Sequence, residues 1–152
     1  MIEDLKRLLD EVGVLQSKLI LIIGPPNAGK TALLRALARD VGTVPLNVGA
    51  ELSRLLASLP QKQRLLQTPI VLRELADQHA TGDLLLMDNI ELLFDRSLHL
   101  EPLDLLKRHA HVMRVVAVWP GELQGDRLTY ATLAHPEHRN YGIEGLVPFE
   151  IQ

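Results

Sequence analysis

Eight consecutive residues, Gly24-Pro25-Pro26-Asn27-Ala28-Gly29-Lys30-Thr31, fit the pattern G-x-x-x-x-G-K-[ST] at every fixed position. These residue types at this spacing suit the holding of phosphate. Gly24 and Gly29 can take backbone angles that other residues avoid, so the loop can wrap with its N–H groups pointing inward. Ala32 continues into a helix whose positive N-terminus adds to the same anion site. Lys30 is expected to reach the β- and γ-phosphates, and the Thr31 hydroxyl to take one position on Mg2+. Pro25 and Pro26 have no N–H to offer and stiffen the entry to the loop. The expected ligand is a purine nucleoside triphosphate, and these residues do not distinguish ATP from GTP.

Such a site needs a carboxylate near the metal, commonly the acid at the end of a buried strand. Asp88 follows Leu84-Leu85-Leu86-Met87 and fits that place. In many ATPases of this kind a Glu follows the Asp and polarises the attacking water. Here Asn89 stands there, and an amide orients water without accepting its proton. Glu91 can reach the site if the chain turns tightly, and the other reading makes it a solvated loop residue.

The elements that must position these groups follow from periodicity. Leu19 to Ile23 is an unbroken apolar run, as a strand buried on both faces should be. Leu33, Leu34, Leu37, Ala38 and Val41 then recur at helical spacing, giving a helix from about Lys30 to Asp40 that Gly42 ends. Residues 2–12 carry Ile2, Leu5, Leu8, Leu9 and Val12 between charges, an amphipathic helix ending near Gly13 and expected beside the nucleotide site. Val44 to Val48 reads as a strand that Pro45 confines to a sheet edge. A helix follows over about Ala50 to Ser58. Gln61 to Gln67 reads as a loop or a short turn, and Thr68-Pro69 as the start of a helix running to about His79. After the Asp83–Asp88 strand, a short helix or irregular turn begins at Leu92, and a helix runs from Glu101-Pro102 to about Ala110. Val112 to Trp119 is a third strong strand. Gly121 to Asp126 reads as a turn, Leu128 to Leu133 as a strand, His135 to Arg139 as a loop, and Gly145 to Ile151 as a last strand.

Strands alternating with helices imply a three-layer α/β fold with a mostly parallel sheet. The interval between Lys30 and Asp88 has room for a strand and two helices, which fits the P-loop class with an additional strand better than a short-wound kinase. The chain has 152 residues, the size of one domain, so a single P-loop domain over 1–152 is expected, with 1–13 as its N-terminal helix. Hydrophobic content of 47% is ample for a core, and with aromatics at 3% that core must be built from Leu, Val, Ile and Ala. A net charge of −3 gives no general basic field for DNA, though a local basic patch stays open. The absence of Cys excludes disulfides and thiolate metal sites. No segment reads as a membrane span, and MIEDLKRLLDEVG lacks the features of a signal peptide, so a soluble cytosolic protein is expected.

Other residues carry weaker signals. His109 and His111 read as boundary histidines. His135, Glu137 and His138 are denser, but Pro136 argues for a loop and against zinc ligands at one-face helical spacing. Trp119 sits at a strand end where a polar residue often senses the γ-phosphate, and is expected instead to pack on the loop or the base. For an arginine that stabilises charge on the γ-phosphate the first candidate is Arg139, with Arg127 and Arg108 behind it, and the other reading makes Arg139 a surface arginine with a local partner such as Glu137. Such an arginine can act in its own chain or reach the next subunit of a nucleotide-dependent homo-oligomer.

The segments GPPNAGKT, LLLMDNIELLFD, VVAVWPG and LTYATLAHPEHRNY occur in this order across essentially the full chain. Together they resemble the BrxF family, the small P-loop proteins of type 3 BREX phage-defence systems. The Trp-Pro-Gly turn and the HPEHR segment are the more specific part. The resemblance implies a bacterial cytosolic ATP-binding subunit, with a large ATPase, a DNA methyltransferase and a phosphatase-like protein as partners. The architecture resembles the AAA+ core. A core without the helical lid after the sheet is expected, and that expectation, with Asn89, argues against fast autonomous turnover. Three functions fit: an ATPase subunit hydrolysing Mg-ATP slowly or with help from neighbours, a non-hydrolysing nucleotide-gated adaptor, and a small-molecule kinase. The last lacks an arginine-rich lid segment.

Overall fold

The computed structural model describes residues 1–130 and 139–151. Helix α1 spans Ile2–Val12 and is followed by strand β1, Leu19–Ile23, and helix α2, Lys30–Val41. Strand β2 is Leu46–Asn47, helix α3 Val48–Leu56, helix α4 Gln61–His79 and strand β3 Leu84–Asp88. Two 3-10 turns, Glu91–Phe94 and Arg96–Leu98, lead to helix α5, Pro102–His109, and strand β4, Arg114–Val118. Then come β5 (Gly121–Gln124), β6 (Arg127–Tyr130), β7 (Arg139–Gly142) and β8 (Val147–Glu150).

Five strands form a parallel sheet in the order β2-β3-β4-β1-β8. Successive side chains of a strand point to opposite faces, and this sheet buries both. Leu19, Leu21, Ile23, Leu85, Met87, Val115 and Ala117 join the core built with α3, α4 and α5. Ile20, Ile22, Leu84, Leu86, Val116 and Val118 join the core built with α1 and α2. That two-sided burial is why these strands read as continuous apolar runs, and it makes the fold a three-layer α/β P-loop architecture. β2 lies at the sheet edge, where Pro45 beside it deprives no central ladder. β4 stands between β1 and β3, so the loop after β1, the acid ending β3 and the residue ending β4 all open on one edge of the sheet. No helix among the described residues is long and apolar enough to cross a membrane.

Four expectations need correction. Thr68 does not cap a helix, because α4 is continuous from Gln61 and carries Pro69 inside it. Proline there costs about 3 kcal/mol, since Leu65 loses a carbonyl partner. Burial of Leu72 and Leu75, each contributing about 1.5–3 kcal/mol, offsets this. The buried Thr68 hydroxyl donates to the Arg64 carbonyl at 2.6 Å, within the turn just before the proline. Second, α1 packs on the sheet beside α2 as expected, but its polar ties run to the end of the sheet opposite the glycine loop. Lys6 pairs with Asp40 in the last turn of α2 at 3.6 Å, and the Leu9 carbonyl accepts from Arg114 at the start of β4 at 3.4 Å. Third, Gly121 to Gln124 is a strand. It pairs antiparallel with β6 across the two-residue loop Gly125-Asp126, where Gly125 has φ 63°. Fourth, Arg139 opens β7, which pairs with β6 to complete a small antiparallel sheet in the order β5-β6-β7. His135, Pro136, Glu137 and His138 lie outside the described residues, as do 131–133 of the expected strand.

Candidate functional site

The loop from Gly24 to Thr31 leaves the end of β1 and is shaped by contacts that its residue types permit. A Cβ at Gly24 would stand 3.0 Å from the Ile151 carbonyl oxygen and 3.3 Å from the Ala28 Cβ, so a side chain there would press on the residue that follows β8 and on the loop itself. The Ala28 N–H donates to the Pro25 carbonyl at 3.1 Å. Asn27 (φ 64°) and Gly29 (φ 90°) take the left-handed conformation, which asparagine tolerates and glycine adopts freely. Gly29 is the N-cap of α2 and makes no side-chain cap bond, so no capping side chain occupies the first-turn donors.

Lys30 turns back over this loop. Its ammonium donates to the Gly24 carbonyl at 2.9 Å and to the Trp119 carbonyl at 3.0 Å. Partial burial pulls its pKa down, and the carboxylates of Glu91 and Glu122 oppose that shift. The Thr31 hydroxyl donates to Asp88 Oδ1 at 3.2 Å, bringing the first turn of α2 against the end of β3. The same Asp88 oxygen accepts the Asn89 N–H at 2.8 Å. A hydroxyl oxygen and a carboxylate side by side are hard ligands of the kind that Mg2+ takes.

Asn89 faces elsewhere. Its φ is 55°, and its side-chain amide donates to Asn47 Oδ1 at 2.9 Å. Asn47 also caps α3 by accepting the Ala50 N–H at 3.0 Å. The Gly49 N–H donates to the Asn89 carbonyl at 2.8 Å, and a Cβ on Gly49 would fall 2.6 Å from the Asn89 amide nitrogen. The β2–α3 connection therefore holds the residue after Asp88 from three directions. Sequence reasoning missed Asn47 and Gly49, although an asparagine directly before a helix is a capping signal.

Glu91 opens the 3-10 turn after β3 and lines a groove of about 510 Å³ with Gly49, Ala50, Ser53 and Asn89. The residue keeps an exposed surface, yet the protein packed around its carboxyl raises its pKa. The nearby Asp88 charge adds to the rise, while its backbone hydrogen bond and Lys30 oppose it. Glu122, on β5, went unrecognised because its strand reads as a turn.

Trp119 does not pack on the loop or lie open to a base. Its side chain is fully buried, its indole N–H donates to the Thr129 carbonyl at 3.0 Å, and only its carbonyl meets Lys30. Arg139 begins β7 with its backbone paired to Tyr130. Arg127 donates to the Asn140 side chain at 2.5 Å. Arg108 lies in the last turn of α5, and the Ala110 carbonyl just beyond accepts from Lys18 before β1, so it stands at the far end of the sheet from Lys30.

Residues 20–117, from β1 into β4, match the family model of the ATPase family associated with various cellular activities (AAA). No match to an individual curated protein is significant. The matched stretch is more than half of the chain and contains the glycine loop, Lys30, Thr31 and Asp88. This chain belongs to the AAA family of ATPases.

Proposed function

We propose that this chain binds Mg-ATP through residues 24–32 and hydrolyses it as the small ATPase subunit of a bacterial, cytoplasmic anti-phage complex of the BREX kind. The observation that carries the nucleotide reading is the convergence of Lys30, Thr31 and Asp88 at one sheet edge, with Thr31 and Asp88 joined at 3.2 Å across 57 residues of sequence. Lys30 meets the phosphate charge. The loop from Gly24 to Gly29, with Ala32 in the first turn of α2, surrounds the phosphates. Thr31 and Asp88 hold Mg2+, which when bound neutralises charge on the phosphate oxygens. Support for the defence role is the order of GPPNAGKT, LLLMDNIELLFD, VVAVWPG and LTYATLAHPEHRNY along the chain. The partners are further copies of this chain and other components of such a complex, a large ATPase among them. With a net charge of −3, DNA binding is not part of the proposal.

The test is release of labelled phosphate from Mg-ATP by the parent protein and by Asp88→Ala. The parent should release phosphate with a clear Mg2+ requirement, and Asp88→Ala should lose both the rate and that requirement. A variant with the parent's Mg2+ response would remove Asp88 from the metal shell.

Glu91 is the base in this reading, because Asn89 spends its amide on Asn47 and carries no carboxylate. General-base catalysis contributes about 10²–10⁴-fold, and Glu91→Gln should lower turnover by that order while keeping ATP bound. The pH profile gives a second readout. The base must be ionised, and its pKa is raised, so phosphate release should fall with acid at a pH above the ordinary glutamate range. Glu91→Gln should remove that limb, and an unchanged profile would pass the role to another group. The same Asn89–Asn47 bond favours a second reading, a nucleotide-gated adaptor that binds ATP without turnover. Retention of intact ATP by the parent protein would select it.

A further inference from the structure

The chain contains one Trp, two Tyr and two Phe. Four of these five rings, those of Phe94, Trp119, Tyr130 and Tyr141, lie in one cluster. Phe94 meets Trp119 edge-on with centroids 5.4 Å apart and stacks on Tyr130 at 3.9 Å, while Tyr141 meets Trp119 edge-on at 5.7 Å. Such pairs contribute about 0.5–1.5 kcal/mol each beyond the area they bury. They join three separate pieces. Phe94 ends the turn that Glu91 opens, Trp119 follows β4, and Tyr130 and Tyr141 belong to the small antiparallel sheet.

Trp119 is tied at every group it has. Its N–H donates to the Ile22 carbonyl of β1 at 2.9 Å, its carbonyl accepts from Lys30 at 3.0 Å, and its indole N–H donates to Thr129 of β6 at 3.0 Å. Gly121 lets β5 pass close beneath this arrangement. A Cβ there would lie 1.7 Å from the Thr129 carbonyl oxygen and 2.9 Å from the indole nitrogen. One residue thus links the parallel sheet, the phosphate-facing lysine and the second sheet.

The ammonium of Lys30 has three N–H donors, and two of them are held by neutral carbonyls. Hydrogen bonds to an ionised acceptor are roughly twice as strong as neutral ones, so a phosphate oxygen competes well for either donor. Of the two carbonyls, Gly24 belongs to the loop that wraps the phosphates, whereas Trp119 stands across the site at the end of β4. We propose that Lys30 passes from the Trp119 carbonyl to a nucleotide phosphate, and that the buried, clamped Trp119 carries this exchange into the β5-β6-β7 sheet. The inference rests on the Mg-ATP reading above. A carbonyl that gives up its partner must be satisfied anew. That carbonyl belongs to the peptide that leads through Pro120 into β5, so a turn of it shifts the start of β5 against β6, where the indole is also bonded. The surface of the small sheet then differs between the nucleotide-bound and nucleotide-free protein, as regulation by differential contact requires.

The experiment uses the full chain with Mg-ATP. Calorimetry measures binding, emission of the single tryptophan reports on Trp119, and hydrogen exchange follows the amides of β5 and β6. Emission should change with the calorimetric midpoint, and exchange in β5 and β6 should change about three- to tenfold, the size expected from one hydrogen bond. Trp119→Phe keeps a ring in the cluster and removes the bond to Thr129. Compared at nucleotide concentrations that saturate each protein by calorimetry, its exchange response in β6 should shrink relative to the parent's. Binding with unchanged emission and exchange in the parent overturns the inference and leaves the ATP reading standing. A full-sized exchange response in Trp119→Phe overturns the route through the indole. Absence of binding in the parent overturns both readings.

Discussion

A Lys30→Ala protein should fold and lose most of its affinity for Mg-ATP. Folding is expected to survive because the half-exposed ammonium makes two bonds to carbonyls and, among the described residues, no ion pair. Burial also pulls its pKa down, so the charged form gains little from its surroundings beyond the fields of Glu91 and Glu122. Binding is different, since a phosphate would lose a charge-assisted contact of about 1.5–3 kcal/mol. That range corresponds to a Kd weaker by roughly 10- to 150-fold. Thermal unfolding gives an independent readout. Ligand at a hundred times the parent Kd stabilises the parent by about 2.7 kcal/mol, and a variant binding a hundredfold more weakly keeps about 0.4 kcal/mol. Calorimetry showing unchanged ATP affinity would end the assignment of residues 24–32 as the phosphate loop.

The parts of this site that were legible beforehand are those whose chemistry is local. The loop declares itself because closely spaced glycines, a lysine and a threonine follow a buried strand. Asp88 declares itself because it ends another such strand, and Pro45 marks β2 as an edge. α4 was misread for a physical reason. Thr68-Pro69 has the form of a helix start, but the buried stripe of Thr68, Leu72, Leu75 and Ala76 outweighs one missing backbone bond. β5 was misread because Gly-Glu-Leu-Gln offers one apolar residue, and its pairing with β6 depends on contacts further along the chain. Bonds between distant residues left no pattern to read. Asn89 to Asn47 spans 42 residues and Lys30 to Trp119 spans 89. The second is to a main-chain oxygen that any residue would possess, so the type of residue 119 points to the ring and conceals the carbonyl. The small sheet, with four of the chain's aromatics gathered at its base, follows from the same long-range contacts.

That sheet bears on the last expectation, an Arg139→Ala protein with hydrolysis about 10³–10⁵-fold slower and nearly normal ATP binding. The loose transition state of phosphoryl transfer spreads charge over several γ-phosphate oxygens, more than a single lysine can meet. A second cation is needed to meet that charge. Arg108 is at the wrong end of the sheet, and Arg127 is bonded to Asn140. The backbone of Arg139 pairs with Tyr130, which pairs in turn with Gly121, two residues beyond the carbonyl that holds Lys30. Strands lie about 4.8 Å apart, so this row sets Arg139 roughly 10 Å from Gly121. We expect Mg-ATP to drive head-to-tail assembly in which Arg139 of one subunit meets the phosphates of the next, a contact that closes into a ring or runs on as a filament. Light scattering should then show a rise in molar mass on adding Mg-ATP. Mixing Arg139→Ala with Lys30→Ala should restore part of the activity that each lacks, because one supplies the arginine and the other the intact loop. If the mixture stays inactive and the molar mass does not respond to Mg-ATP, the shared site is excluded. A slow Arg139→Ala protein would then place the arginine on the phosphates of its own chain.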